Sequence, residues 1–124
     1  MKHILLCDDD VTILRAAEIK LTRAGYRVTT YPDGQAAFEA IQRELPDMII
    51  SDCQMPRMGG LELVRKLRED ERTRDVPFLL LTGKGFELPI EDLRRDYGVL
   101  GVIGKPFSPR EVLQIVETTL AASV

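Results

Sequence analysis

The chain has 124 residues, enough for one hydrophobic core without disulfide or metal staples and too few for two. Apolar residues make up 44% and charged residues 30%, with 9 glycines and 7 prolines, which excludes disordered, collagen-like and low-complexity classes. With 17 basic against 20 acidic side chains and a net charge of −3, counterion release from a nucleic-acid backbone offers little binding energy, so direct nucleic-acid binding is not expected.

Lys2–Cys7 reads as a first strand. Its apolar run, Ile4–Cys7, is matched in length only by Phe78–Leu81, and both are far too short to span a membrane. Asp8, Asp9 and Asp10 end it before any signal-peptide cleavage site, so the N-terminus as written is the expected mature one. Asp10 fits the N-cap of a helix over Val11–Ala24, with Leu14, Ala17, Leu21 and Ala24 on one face and Gly25 at the left-handed cap position. Arg27–Tyr31 is a second strand. Asp33 caps a helix reaching Glu44, with Ala36, Ala37, Ala40 and Ile41 inward, and Pro46 stops it before the strand Asp47–Ser51.

A third helix runs from Gly60 to Asp70 on Leu61, Val64 and Leu67. The near-continuous apolar strand Val76–Leu81 implies burial on both faces in the middle of a parallel sheet. Gly83, Gly85 and Pro89 disfavour helix until Ile90, leaving a short fourth helix over Ile90–Tyr97. A fifth strand, Val99–Ile103, precedes Ser108-Pro109-Arg110-Glu111, which combines an N-cap serine, a first-turn proline and a capping-box glutamate. The last helix carries Val112, Leu113, Val116 and Leu120 inward and frays over Ala121–Val124. Five alternations of strand and helix predict an α/β fold, a doubly wound parallel sheet with helices on both faces, in a single domain over residues 1–124.

In such sheets ligands bind beyond the carboxyl ends of the strands, where the winding reverses. With the order 2-1-3-4-5, the first and third strands are neighbours, and Asp8 and Asp9 meet Asp52 there. Two carboxylates about 4 Å apart repel by roughly 4 kcal/mol at an effective dielectric near 20, so three need a compensating cation or raised pKa values, and a divalent metal is the economical answer. Oxygen-only ligands favour Mg²⁺, which takes one or two carboxylates together with waters and a phosphate oxygen. Thr82 after the fourth strand would offer a hydroxyl, and Lys105 after the fifth a point charge, to a phosphoryl group. Asp10 is left out of the metal site because capping accounts for it.

The runs Ile4-Leu5-Leu6-Cys7-Asp8-Asp9-Asp10, Ser51-Asp52-Cys53-Gln54-Met55-Pro56-Arg57-Met58-Gly59-Gly60, Leu81-Thr82-Gly83 and Lys105-Pro106-Phe107 resemble the receiver domain of bacterial response regulators, in order and over nearly the whole chain. The resemblance implies that Asp52 accepts a phosphoryl group from a histidine kinase or phosphotransfer protein. It also implies that Asp8, Asp9, Asp52 and the Gln54 main-chain carbonyl bind Mg²⁺, that Thr82 and Lys105 contact the phosphoryl group, and that the Lys105–Pro106 peptide is cis. A cytoplasmic switch follows from it, not a metabolic enzyme, catalysing only its own phosphorylation and dephosphorylation. It would act on a downstream protein target, and a dimer formed on phosphorylation is a further expectation.

Three departures bear on output. Val102 stands where many receivers carry a Tyr or Phe that rotates inward, and Gly59 replaces a common acidic residue. Gly83-Lys84-Gly85 with Pro89 replaces a better helix start, and Gln54 and Lys84 occupy the two variable positions that tune the acyl phosphate in the family. Two other readings compete. Asp8-x-Asp10-x-Thr12 after an apolar strand, with Thr82 and Lys105, fits a haloacid dehalogenase-type phosphohydrolase with Asp8 as nucleophile, although that reading gives Asp52 no role. A receiver-shaped interaction module that is never phosphorylated would explain Val102 and the weak fourth helix.

The remaining signals have plainer explanations. The charges of Arg65, Lys66, Arg68, Arg72 and Arg74 interleave with acids and read as a solvated, salt-paired surface. His3 is expected at the surface or an edge, and Cys7 and Cys53 as reduced, buried residues, with Cys53 turned away from the pocket into core packing.

Overall fold

The computed structural model describes residues 1–83 and 88–121. The chain alternates β1 (His3–Cys7), α1 (Val11–Arg23), β2 (Arg27–Tyr31), α2 (Gly34–Arg43), β3 (Met48–Asp52), α3 (Gly60–Arg68), β4 (Phe78–Thr82), α4 (Ile90–Tyr97), β5 (Val102–Gly104) and α5 (Pro109–Ala121). All pairings are parallel and the sheet order is β2-β1-β3-β4-β5, the order expected from the sequence. Cys7 pairs with Ser51 and Asp52 with Leu81, so β1 and β3 end side by side.

Strand alternation divides the core into two layers. Leu5, Cys7, Ile49, Phe78 and Leu80 face α2, α3 and α4, whereas Ile4, Leu6, Met48, Ile50, Leu79 and Leu81 face α1 and α5. β1, β3 and β4 are buried along their whole length, as parallel strands covered on both faces must be. At about 25 cal/mol per Å² of apolar surface, this double burial is the main stabilising term of the fold.

Local signals act where the sequence placed them. Asp10 Oδ1 accepts the amides of Thr12 and Ile13 at the start of α1, and Asp33 Oδ1 accepts Ala36 N at 2.8 Å at the start of α2. Gly25 takes φ +99 beyond α1, and Gly98 takes φ +63 beyond α4. Ser108 Oγ accepts Arg110 N at 3.1 Å, although among the described residues Glu111 makes no reciprocal bond to it.

Several expectations are corrected. Leu63 rather than Leu61 is buried on α3, because the helix turns Leu63, Val64 and Leu67 inward together. Ala24 is exposed at the end of α1. β5 is shorter and later than Val99–Ile103, although Leu100 N and Gly101 O still bond to β4. His3 is buried: β2 covers it, and its Nε2 lies 2.8 Å from Thr29 Oγ1. Arg68 is not salt-paired surface but half-buried, donating from Nε to Tyr97 O at 2.6 Å and from Nη1 to Thr73 O at 3.3 Å. Lys84, Gly85 and Ala122–Val124 lie outside the described residues.

Candidate functional site

The carboxyl ends of β1, β3, β4 and β5 lie side by side along one rim of the parallel sheet. Asp8 follows β1 with its backbone N–H held by Tyr31 O, and its Oδ1 accepts Asp10 N at 2.9 Å, so the side chain has one preferred direction. Asp52 closes β3, tied through Cys53 N to Leu81 O of β4. Both carboxylates are buried, at 1% and 5% exposure, while Asp9 beside them is exposed. Oxygen atoms of Asp8, Asp9 and Asp52 all lie within 4.8 Å of one another.

Lys105 enters from beyond β5, where its N–H donates to Thr82 O at 2.7 Å and its peptide to Pro106 is cis. Its Nζ lies 2.7 Å from Asp8 Oδ2 and 3.0 Å from Asp52 Oδ2. Thr82, only 7% exposed, brings a hydroxyl that has no hydrogen-bond partner among the described residues. A buried hydroxyl without a partner is costly.

Burial pushes the Asp8 carboxyl up despite the opposing Lys105 ammonium and Asp10 N–H, and the charge of Asp52 adds to the rise. Burial alone would lower the Lys105 ammonium, but hydrogen bonds and charge from Asp8 and Asp52 outweigh it and raise it. Among the described residues one ammonium therefore serves two carboxylates, and no ion pair reaches the third. An all-oxygen donor set with excess negative charge and one open side fits a hard divalent cation such as Mg²⁺ and gives zinc no nitrogen or sulfur ligand.

Asp8, Asp9, Asp52, Thr82 and Lys105 are thus brought together as the sequence suggested. Gln54 is exposed in the loop after β3, with its N–H 3.5 Å from Asp52 Oδ1. Cys53 is buried away from solvent, as expected, and Cys7 lies one layer beneath the site. The Cys7 thiol, pushed up to about 12 by burial, meets the Met55 sulfur at 3.3 Å. The sequence reading missed Arg57, which adopts φ +66 and donates to Asp33 Oδ2 from Nη2 at 2.7 Å and from Nε at 3.2 Å. Nothing in an isolated Pro-Arg-Met triplet signals that contact.

Comparison with known proteins agrees with this geometry. The family model of the response regulator receiver domain matches residues 4–117. The phosphate regulon transcriptional regulatory protein PhoB of Pseudomonas aeruginosa is 38% identical over 120 residues, which are 96% of this chain and 52% of that protein. The chain spans about half the length of the curated relatives it matches first. Among solved structures, the chemotaxis protein CheY4 of Vibrio cholerae superposes with a TM-score of 0.84 at 31% identity, covering 95% of this chain and 98% of that one. The receiver domain of a Pseudomonas aeruginosa sensor histidine kinase, with a magnesium ion coordinated in its active site cleft, gives a TM-score of 0.81 at 30% identity, covering 94% and 95%. The phosphohydrolase reading, with Asp8 as nucleophile and Thr82 and Lys105 as further parts, gives way to this match, which runs over residues 4–117 and includes Asp52, the residue that reading leaves without a role. The chain belongs to the response regulator receiver domain family.

Proposed function

We propose that Asp52 is the phosphoacceptor of this receiver, taking its phosphoryl group from a histidine kinase or phosphotransfer protein. The observation that carries the reading is the meeting of Asp8 Oδ2 and Asp52 Oδ2 on the single Lys105 ammonium, at 2.7 and 3.0 Å. In the transfer an Asp52 carboxylate oxygen forms the new O–P bond as the bond from phosphorus to the donor histidine nitrogen breaks. Little covalent work falls to the protein, so position and charge decide the rate.

Asp8, Asp9, Asp52 and the Gln54 carbonyl would hold Mg²⁺, which when bound neutralises charge on the phosphoryl oxygens. Lys105 leaves its place between Asp8 and Asp52 to pair with a phosphoryl oxygen. The Thr82 hydroxyl gains the acceptor it lacks, and the change at β4 and β5 passes to a downstream protein. The same parts let the domain catalyse its own phosphorylation and dephosphorylation. A cytoplasmic setting, one receiver unit over residues 1–124 and a dimer formed on phosphorylation belong to this proposal.

The test is labelling with acetyl phosphate and Mg²⁺. Asp52→Asn is expected to abolish the label, whereas Asp8→Asn weakens it; label lost in Asp8→Asn and kept in Asp52→Asn would restore the phosphohydrolase reading. No heat of binding at millimolar Mg²⁺ would leave a receiver-shaped interaction module.

A further inference from the structure

The loop from Gln54 to Gly59 leaves the proposed phosphoacceptor and enters α3, and it is pinned at two points. At its base Gly60 N donates to Cys53 O at 3.0 Å, and a Cβ on Gly60 would strike Asp52 O. At its tip Gly34 N, in the first turn of α2, donates to Met58 O at 3.0 Å, and a Cβ on Gly34 would strike that same carbonyl. Beside the tip, Arg57 stands at φ +66, a conformation that an L side chain holds only when its surroundings impose it. The turn is closed locally by Met58 N donating to Pro56 O at 2.8 Å, and the side chain it presents is held by Asp33: the guanidinium donates twice to Oδ2, at 2.7 and 3.2 Å, while Oδ1 accepts Ala36 N. The Asp33 carboxylate is also held from its own helix, through the bond from Ala36 N to Oδ1.

We propose that Asp33 and Arg57 form a strut that holds the loop in its metal-ready shape, making both of them positioning residues for the chemistry at Asp52. This rests on the receiver reading given above. Neither residue touches the acid cluster. They act through the backbone that carries Asp52 and Gln54, in the way that outer partners of metal ligands orient a site. The sequence expectation for Asp33 was a helix cap, and it is one, but a cap needs only one carboxylate oxygen.

The two roles separate in conservative variants. Asp33→Asn keeps a cap acceptor and removes the charge partner, and Arg57→Gly suits φ +66 while removing the guanidinium. Mg²⁺ titrated by calorimetry into the wild type, both single variants and the double variant is expected to show a loss of affinity of about three- to tenfold in each single variant. That lies below the usual outer-partner effect because Arg57 is 65% exposed. The double variant should be no weaker than the weaker single, since the pair works as a unit, and Arg57→Lys should recover part of the loss. Labelling by acetyl phosphate should slow in the same order. Melting temperatures that fall while Mg²⁺ affinity stays at the wild-type value, or losses that add in the double variant, would overturn the strut. A wild type that binds no Mg²⁺ at all would instead overturn the receiver reading, and the strut with it.

Discussion

The Lys105 ammonium lies 2.7 Å from Asp8 Oδ2, the more deeply buried of the two acids it bridges, so the resting site already holds one positive charge against its carboxylates. Among the described residues that is one charge against three acids, each with an oxygen within 4.8 Å of the others. The deficit makes the site selective for a cation and sets its first consequence for stability.

Mg²⁺ should stabilise the fold, by about 1.4 kcal/mol at ten times its dissociation constant, a rise of roughly 5 °C for a chain of this size. Asp9→Asn removes the exposed member of the cluster. It should leave the metal-free melting temperature unchanged or slightly higher and shrink the Mg²⁺-induced rise. Calorimetric scans in chelator and in Mg²⁺ read both quantities, and an undiminished rise in Asp9→Asn would remove Asp9 from the ligand set.

Thr82 Oγ1 is buried without a partner among the described residues, so Thr82→Val discards no hydrogen bond in the resting protein. Its cost to resting stability should stay within about 1 kcal/mol, with stabilisation allowed, because an unpaired buried hydroxyl is itself a penalty. The response to a beryllium fluoride phosphoryl mimic, followed by amide resonances of β4 and β5, should be reduced in Thr82→Val and kept in Thr82→Ser. An unaltered response in Thr82→Val would show that the hydroxyl takes no part in switching.

Gly59 stands where the family often carries an acid, yet a Cβ there would lie 2.6 Å from Cys53 O. The backbone of this loop therefore excludes the family residue. Gly59→Asp should destabilise by about 1–3 kcal/mol, the usual penalty for forcing added volume into packed surroundings. Denaturant midpoints at constant m-value give the number, and a midpoint equal to the wild type would show that the loop yields freely.

His3 is buried, and burial, assisted by the charge of Arg27, lowers its pKa below the ordinary 6.5. The unfolded chain then takes up this proton first as the solution is acidified. The contribution of neutral His3 is fully present above pH 6.5 and lost as pH falls through its lowered folded value. His3→Gln should flatten the decline in stability between about pH 7 and pH 5 relative to the wild type. Chemical denaturation at three pH values measures the slopes, and parallel slopes would place the acid sensitivity elsewhere.

Four of the five strands, all five helices at nearly full length, both Asp caps and the Gly25 turn were legible because each depends on residues within a few positions of one another. Apolar periodicity and capping are local codes. The site was legible for a related reason: a parallel sheet exposes the residue after each strand at one rim, so Asp8, Asp52, Thr82 and Lys105 could be assigned to a common edge from strand positions alone. His3 and Arg68 were misread because a histidine near a terminus and an arginine among acids carry no local sign of burial. β2 covers His3, and the main-chain carbonyls of Tyr97 and Thr73 accept Arg68 from 29 and 5 positions away.

Sequence alone determined the layered α/β fold, since that follows from periodicity and the handedness of parallel crossovers, and it placed the acids, the threonine and the lysine after successive strands; the strand order expected with them agrees with the structure. Only the tertiary structure decided which charges compensate one another, which hydroxyl is left without a partner, and that Arg57 reaches Asp33 across 24 residues. Those relationships depend on packing distances of a few ångströms between segments remote in the chain, and no short-range pattern encodes such distances.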